Sequence, residues 1–314
     1  MRVNIVIPVY NTESIIEDLV KNIIDETSNL KGIQSYKIIL VNDCSNDASW
    51  SKIKSLCQNN KSILGINLMK NYGQHNALIA GLNYIDGDYI ITMDDDFQHS
   101  PKEIKNLIGK VNEGFDVCYT KYNQNKYSFL KVLGSKINNK LSNFLIDKPK
   151  DIYLSSFKCM TKKIASEIRK YDGPYVYLDG LIFDITKNVT SINIEHQKRK
   201  EGSSNYNFVK LFTLWLRVLT SFSIAPLRML TFLGFLMIFL SALVIIIIIT
   251  LKLLNPEIAA GWSSLATLIV FFSGLQFVAI GLIGEYIGRS YIKINKKPQY
   301  VIREIIEENN TDEK

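Results

Sequence analysis

Tyr89-Ile90-Ile91-Thr92-Met93-Asp94-Asp95-Asp96-Phe97-Gln98-His99 is the stretch on which the rest of the chain turns. An apolar run leads straight into three consecutive carboxylates, and Ser100-Pro101 closes it. Adjacent negative charges repel, and a fold tolerates them best in water or beside a cation. Alternate residues of a strand end face the same way, so Asp94 and Asp96 are expected to share one divalent ion while Asp95 points elsewhere. Hard oxygen donors suit Mg2+ or Mn2+, which keep waters and take substrate phosphates as further ligands. The competing reading is an acidic turn that caps the following helix, and these residues alone leave both open.

Upstream of this stretch the pattern alternates. Val3 to Val9 reads as a buried strand, followed by a helix from about Ser14 to Ser28 that Thr12 can cap, with Glu13 and Glu17 favouring its N-terminal dipole. Tyr36 to Val41 is a second strand, ending in Asn42-Asp43-Cys44-Ser45, and a helix over Asp47–Asn59 follows. Ile63 to Leu68, Asp88 to Met93 and Asp116 to Thr120 complete five strands, with helices over Gln74–Ile85 and Pro101–Glu113 between them. Such alternation means an α/β, Rossmann-like, mostly parallel sheet covered on both faces. Ligands of such sheets bind at the carboxyl ends of the strands, which puts the Asn11, Asp43 and Asp94 turns on one rim. No G-x-G-x-x-G or G-x-x-x-x-G-K-S is present, so dinucleotide and P-loop readings are weak.

The chain has 314 residues, 47% hydrophobic and 21% charged, with a formal net charge of +7; its mean hydropathy is +0.05 and its pI about 9.0. The charge is uneven. Residues 1–207 read as a water-soluble domain, whereas Met229 to Leu251 and Ile258 to Gly284 carry no charge at all. Each run exceeds the roughly 20 residues that cross ~30 Å of hydrocarbon, so a two-helix transmembrane hairpin is expected. Phe208 to Ala225 is amphipathic, with Lys210 and Arg217 against Phe212, Trp215 and Leu219, which suits a helix at the membrane interface. Arg217 and Arg228 flank the hairpin on one side and Arg289, Lys293, Lys296 and Lys297 on the other, so the positive-inside rule puts both termini and the first domain in the cytoplasm. Topology and anionic lipid account for the basic balance, and no nucleic-acid partner is expected. The tail, residues 289–314, has mixed charge and is expected to return to the domain surface over Lys296–Glu308. No secretory signal is expected ahead of the first strand, and Cys44, Cys57, Cys118 and Cys159 form no C-x-x-C pair, so a reduced compartment is expected. His75, His99 and His196 have no zinc-ligand spacing. Between the two regions, Lys126, Lys131, Lys136 and Lys140 recur near helical spacing, with Ser135 beside them; this is a solvated face or an electropositive wall for an anionic substrate.

Taken together, Ile7-Pro8-Val9-Tyr10-Asn11, Val41-Asn42-Asp43-Cys44-Ser45, Met93 to His99 and His196 to Tyr206 resemble, in order and spacing, family 2 glycosyltransferases of GT-A fold that act on polyprenyl phosphates, dolichol-phosphate mannose synthases among them. Asn71-Tyr72-Gly73-Gln74-His75, Pro226 to Leu230 and Gly284 to Tyr291 make the chain most similar to bacterial undecaprenyl-phosphate formamido-arabinose transferases. The resemblance covers nearly the whole chain. It implies inverting transfer of one sugar from a nucleotide diphosphate sugar, UDP-linked, to undecaprenyl phosphate by a multi-pass protein of the bacterial inner membrane, with Mg2+ or Mn2+ as cofactor; self-association is left open.

By the same resemblance Pro8, Tyr10 and Glu13 line the nucleotide pocket, Asp43 meets the base, and Asp94 and Asp95 lie on the sugar-nucleotide side. Asp96 and Gln98 bind the metal, joined by Asp94 if the strand-end geometry holds; Asp95 is expected to be the dispensable one. Arg199 and Ser204-Asn205-Tyr206 close over the diphosphate, and Arg suits phosphate oxygens as a planar fork. Lys131 and Ser135 receive the acceptor phosphate, with Lys158 standing where the family has an Arg after Phe157. The family's acidic residue before that pair is displaced here: Asp151 is one residue out of register as a catalytic base. Two rival readings follow from the same residues: a processive polysaccharide synthase, which would need a larger membrane domain and a Q-x-x-R-W motif where Gln197-Lys198-Arg199-Lys200 stands, and a membrane-anchored nucleotide-sugar-binding scaffold without turnover.

Overall fold

The computed structural model describes residues 1–30, 32–122, 149, 152–173, 176–194, 261–295 and 297–307, with scattered positions between 232 and 254. The chain divides into two compact units, Met1–Asn207 with Pro298–Lys314, and Phe208–Lys297.

The first unit is built on an eight-stranded sheet of order β7-β5-β6-β4-β1-β2-β3-β8. Its strands are β1 (Arg2–Val9), β2 (Ser35–Asn42), β3 (Ile63–Leu68), β4 (Tyr89–Thr92), β5 (Val117–Tyr122), β6 (Lys158–Thr161), β7 (Val189–Ile194) and β8 (Ile302–Ile306). Helices α1 (Ile16–Ser28), α2 (Ser49–Asn59), α3 (Gln74–Leu82), α4 (Ile104–Asn112), α5 (Lys162–Arg169) and α6 (Leu178–Ile185) connect them, and a 3-10 turn, Pro101–Glu103, precedes α4. β1–β2, β2–β3, β1–β4 and β5–β7 run parallel, as expected for crossover connections. β6 is inserted antiparallel between β4 and β5 and β8 lies antiparallel beside β3, so the mostly parallel sheet carries two antiparallel strands.

β1 is buried from Val3 to Val9, which explains its unbroken apolar run: both faces are covered. Val3, Ile5, Ile7 and Val9 share a core with Ile16, Leu19, Val20 and Ile23 of α1, Ile53 and Cys57 of α2, and Ile104, Leu107 and Val111 of α4. The opposite face meets α3, where Gly81 lets the helix approach closely. A Cβ there would lie 2.4 Å from Val6 Cγ1 and 3.1 Å from Val41 Cγ2. Gly81→Ala is therefore expected to destabilise the domain by about 1–3 kcal/mol despite the better helix propensity of Ala, because overpacking exceeds propensity; a urea midpoint equal to or above that of the parent would contradict this.

The tail does return to the domain. β8 pairs antiparallel with β3 from Ile306 opposite Gly65 to Ile302 opposite Leu68. Glu304 accepts from Trp50 Nε1 at 3.2 Å and Lys54 Nζ at 2.9 Å, and Lys37 reaches Glu307 at 2.7 Å. Upstream of β8, Gln299 Nε2 donates to the carbonyls of Tyr171 and Gly173, and Asn83 Nδ2 to the Tyr300 hydroxyl. Deleting residues 298–314 would bare the β3 edge, the hazard that native sheets avoid. The expected result is a lower urea midpoint and concentration-dependent aggregation; an unchanged midpoint with monodisperse protein would show the strand to be incidental.

In the second unit α7 (Trp262–Ile294) runs for 33 residues, about 50 Å at 1.5 Å per residue. Some of its side chains fall outside the described set, and among the described residues no helix is long and apolar enough to cross a membrane. The interface helix expected over 208–225 lies outside the described residues, and 229–251 is described only at scattered positions.

Candidate active site

The chain runs β1-β2-β3 in one direction and then returns to place β4 on the other side of β1. Adjacent loops diverge at such a switch point and leave a crevice beyond the strand ends. The crevice is present here: a cleft of about 260 Å³ lined by Pro8, Val9, Tyr10, Asp43, Asn71, Gly73, Gln74, Asp94, Asp95 and Asp96. Three turns shape this rim, and each contains a non-glycine residue in the left-handed region: Asn11 (φ 56), Cys44 (φ 58) and Phe97 (φ 60). For Phe97 that conformation is strained, and the burial of its ring, 7% exposed, in the core beside Met93 and Ile104 offsets the strain.

The turns are laced together. Asn11 N donates to Ser45 Oγ at 3.0 Å and Asn46 N to Asn11 Oδ1 at 2.9 Å. Thr12 N donates to Ser49 Oγ at 2.9 Å. Glu13, expected in the nucleotide pocket, instead accepts from Ala48 N at 2.6 Å, where it satisfies an orphan amide at the start of α2 and suits the helix dipole. Asp43 is buried and receives Tyr72 N at 2.7 Å and Gly73 N at 2.8 Å. Burial pushes its pKa up and the two amides only partly offset this. Gly73 sits at φ +88, so glycine is the residue that lets the chain turn both amides onto Asp43.

The three adjacent carboxylates separate by environment. Asp94 accepts Gln74 Nε2 on Oδ1 and Ser156 Oγ on Oδ2, the latter at 2.5 Å. Burial raises its pKa, but His99, Ser156 and the Lys158 charge outweigh burial and hold it below the usual range. Asp95 turns to β1, accepting Tyr10 N and Thr12 Oγ1, each at 3.0 Å, and burial carries its pKa to about 6. Asp95 is the first of the two to take a proton as pH falls, which relieves the charge density. Asp95, expected to be the dispensable one, fastens the β1 turn to the acidic turn through these two bonds. Asp96 Oδ1 accepts Gln98 N at 3.1 Å, closing a tight turn around Phe97.

Asp94 and Asp96 were expected to share an ion by strand alternation. β4 ends at Thr92, so the three Asp lie in a turn where period two no longer applies, and among the described residues no group of three His, Cys, Asp or Glu side chains converges as a metal cage. Lys158 is also corrected. It is 1% exposed, its ammonium pairs with Asp179 and lies 4.9 Å from the centre of the Tyr119 ring, and Tyr119 Oη donates to Asp179 at 3.1 Å. Its charge is neutralised beneath the rim instead of facing an acceptor. Lys131, Ser135, Asp151, Arg199, Ser204, Asn205 and Tyr206 lie outside the described residues. Sequence reading missed Gln74, Ser156 and His99 as neighbours of Asp94; the polar Asn71–His75 run after β3 was the available signal for the first.

The family-level match is to Glycosyl transferase family 2, over residues 4–169, which contain the whole cleft. The chain belongs to this family. As a family 2 glycosyltransferase it is 33% identical over 312 residues to the undecaprenyl-phosphate 4-deoxy-4-formamido-L-arabinose transferase of Proteus mirabilis, spanning 97% of this chain and 94% of that protein. The enzyme of the same description from Photorhabdus laumondii is 32% identical over 315 residues, 99% of this chain and 96% of that protein. Among solved structures, Mycobacterium tuberculosis glucosyl-3-phosphoglycerate synthase matches with a TM-score of 0.51 at 16% identity, over 70% of this chain and 78% of that one. A complex of that synthase with Mn2+, UDP and phosphoglyceric acid gives the same TM-score at 16% identity, over 70% of this chain and 76% of that one. These structures establish that the glycosyltransferase shares the GT-A fold.

Proposed function

We propose that the protein transfers a single sugar from a UDP-linked donor to undecaprenyl phosphate, with inversion, at the cytoplasmic face of the membrane. One observation carries the reading: Pro8, Tyr10, Asp43 and the Asp94–Asp96 turn line a single cleft at the switch point of the sheet. The names of the full-length relatives support the acceptor and the sugar-transfer step. Asp43, a carboxylate acceptor in the wall of the cleft, suits the N–H donor of uracil. Tyr10, 45% exposed, offers a face for base or ribose packing.

In the reaction an oxygen of the lipid phosphate attacks the anomeric carbon, and the bond from that carbon to the diphosphate oxygen breaks, releasing UDP. A phosphate monoester has a second pKa of about 6, so it arrives largely as a dianion at pH 7 and needs no strong base to lose a proton. The displaced Asp151 is then no obstacle. The protein's tasks are orientation and charge stabilisation. Asp94, held on both oxygens, meets the sugar side of the donor. Asp96 and Gln98 offer a carboxylate and an amide oxygen at one turn, hard donors that fit Mg2+ or Mn2+; such ions take one or two carboxylates plus substrate phosphates, so a three-residue cage is not required. When bound, the ion neutralises charge on the departing diphosphate. Arg199 with Ser204–Tyr206 for the diphosphate, and Lys131 with Ser135 for the lipid phosphate, complete the proposal.

Membrane attachment rests on the charge-free runs 229–251 and 258–284 and on exposed apolar side chains of α7, among them Phe277 (75%) and Ile280 (64%). Purified full-length protein with undecaprenyl phosphate, Mn2+ and a panel of UDP-sugars should form one lipid-linked monosaccharide. UDP binding without transfer from any donor would sink the reading in favour of a scaffold.

A further inference from the structure

Behind Asp94 lies a hydrogen-bonded chain that the reaction above leaves without a task. Ser156 Oγ is 2.5 Å from Asp94 Oδ2 and 3.0 Å from His99 Nε2, and His99 Nε2 is 3.6 Å from the same carboxylate oxygen. Proton count sets the direction of the chain. A hydroxyl has one proton and an ionised carboxylate only accepts, so the Ser156 proton goes to Asp94 and His99 must donate Nε2–H to the Ser156 oxygen. The parts are anchored without any substrate. His99 is 4% exposed and packs against Phe157 at 5.2 Å between ring centres. The Ser156 carbonyl accepts Thr92 Oγ1 at 2.7 Å, so β4 itself fixes the serine. Gln74 holds the other oxygen of Asp94, and Asp94 still lines the cleft.

We propose that Ser156 and His99 are positioning residues for the transfer: together they lock the Asp94 carboxylate in the single orientation in which it meets the donor. The inference rests on the donor-site reading above and adds to it two side chains that act through Asp94. A free carboxylate at a strand-end turn samples several rotamers; a locked one is pre-organised, and small misplacements of such groups are costly to turnover. A merely structural cross-link would affect stability and leave the chemistry unchanged.

Ser156→Ala should lower kcat about tenfold with donor KM changed less than about twofold, and Ser156→Thr, which keeps the hydroxyl, should recover most of the loss. In an Asp94→Asn background the added Ser156→Ala should cost almost nothing, since residues acting through one another are non-additive. Unchanged kcat in Ser156→Ala, or a loss fully additive with Asp94→Asn, overturns the proposal. A second measurement needs no turnover. The chain has three histidines, so spectra of full-length protein carrying 15N-labelled histidine can be assigned by substitution. The His99 ring nitrogens should shift in both Ser156→Ala and Asp94→Asn; a His99 signal indifferent to either change overturns the proposal. Wild-type protein inactive with every donor, but with the expected His99 shifts, would instead count against the reaction reading alone.

Discussion

Asp96→Ala should lose metal-stimulated sugar transfer and keep its fold. The carboxylate lies at a rim turn, half-buried and outside the core, and its Oδ1 receives the amide of Gln98, two residues further on in the same turn. Its removal therefore costs the fold little. Its loss from the reaction removes an anchor for the ion that neutralises the departing diphosphate. Several kcal/mol of such stabilisation correspond to a loss of about 10²-fold or more in turnover, at about 1.4 kcal/mol per factor of ten. Initial rates against Mn2+ and Mg2+ concentration, with circular dichroism as the control, check this. Rates that still rise with metal as in the parent would remove the assignment. Asp95→Ala should behave differently, lowering stability as well as activity, because Asp95 ties Tyr10 and Thr12 to the acidic turn.

The largest stability effect is expected at Asp179. Its carboxylate pairs with Lys158 and accepts from Tyr119 Oη, and the two charged side chains are 10% and 2% exposed. Removing one partner leaves the other charge buried and uncompensated, which costs about 3–5 kcal/mol. For a domain of this size that lowers Tm by roughly 2–4 °C per kcal/mol, on the order of 10 °C in total. Asp179→Ala should show this in a calorimetric scan. The paired variant Lys158→Met/Asp179→Leu should recover much of the loss, because apolar side chains of similar volume avoid the desolvation cost of the ions. A double variant no more stable than Asp179→Ala would mean that the pair holds the fold in some way other than by cancelling charge.

The five strands and four helices as far as Thr120 were legible because each apolar run is bounded by polar turns, and because α1, α2 and α4 each have a buried stripe while α3 is buried without a break from Ala77 to Leu82. β6 was not. It has four residues, Lys158-Cys159-Met160-Thr161, too few and too polar at the ends to read as a strand, and it is stabilised by the neighbours on both sides. That insertion also explains Lys158: placed inside the sheet, the side chain turns to Asp179 instead of to an acceptor. β8 was foreseen only as a returning tail, since its exposed alternate residues make it resemble a solvated segment. At the site, the rim rule put the Asn11, Asp43 and Asp94 turns on one edge of the sheet, and the family resemblance named Pro8 and Tyr10, which line the same cleft. Strand alternation failed one step later, because β4 stops before Asp94. Ser156 lies 62 residues from Asp94 in sequence, and no local pattern links the two.

The most direct test of the central claim is mass spectrometry of the polyprenyl lipids from cells expressing the full-length chain, set beside cells expressing Asp96→Ala. A polyprenyl phosphate carrying one sugar residue, present with the parent chain and absent with the variant, is the predicted result. Identical lipid profiles in the two, or lipids bearing chains of many sugars, would contradict it.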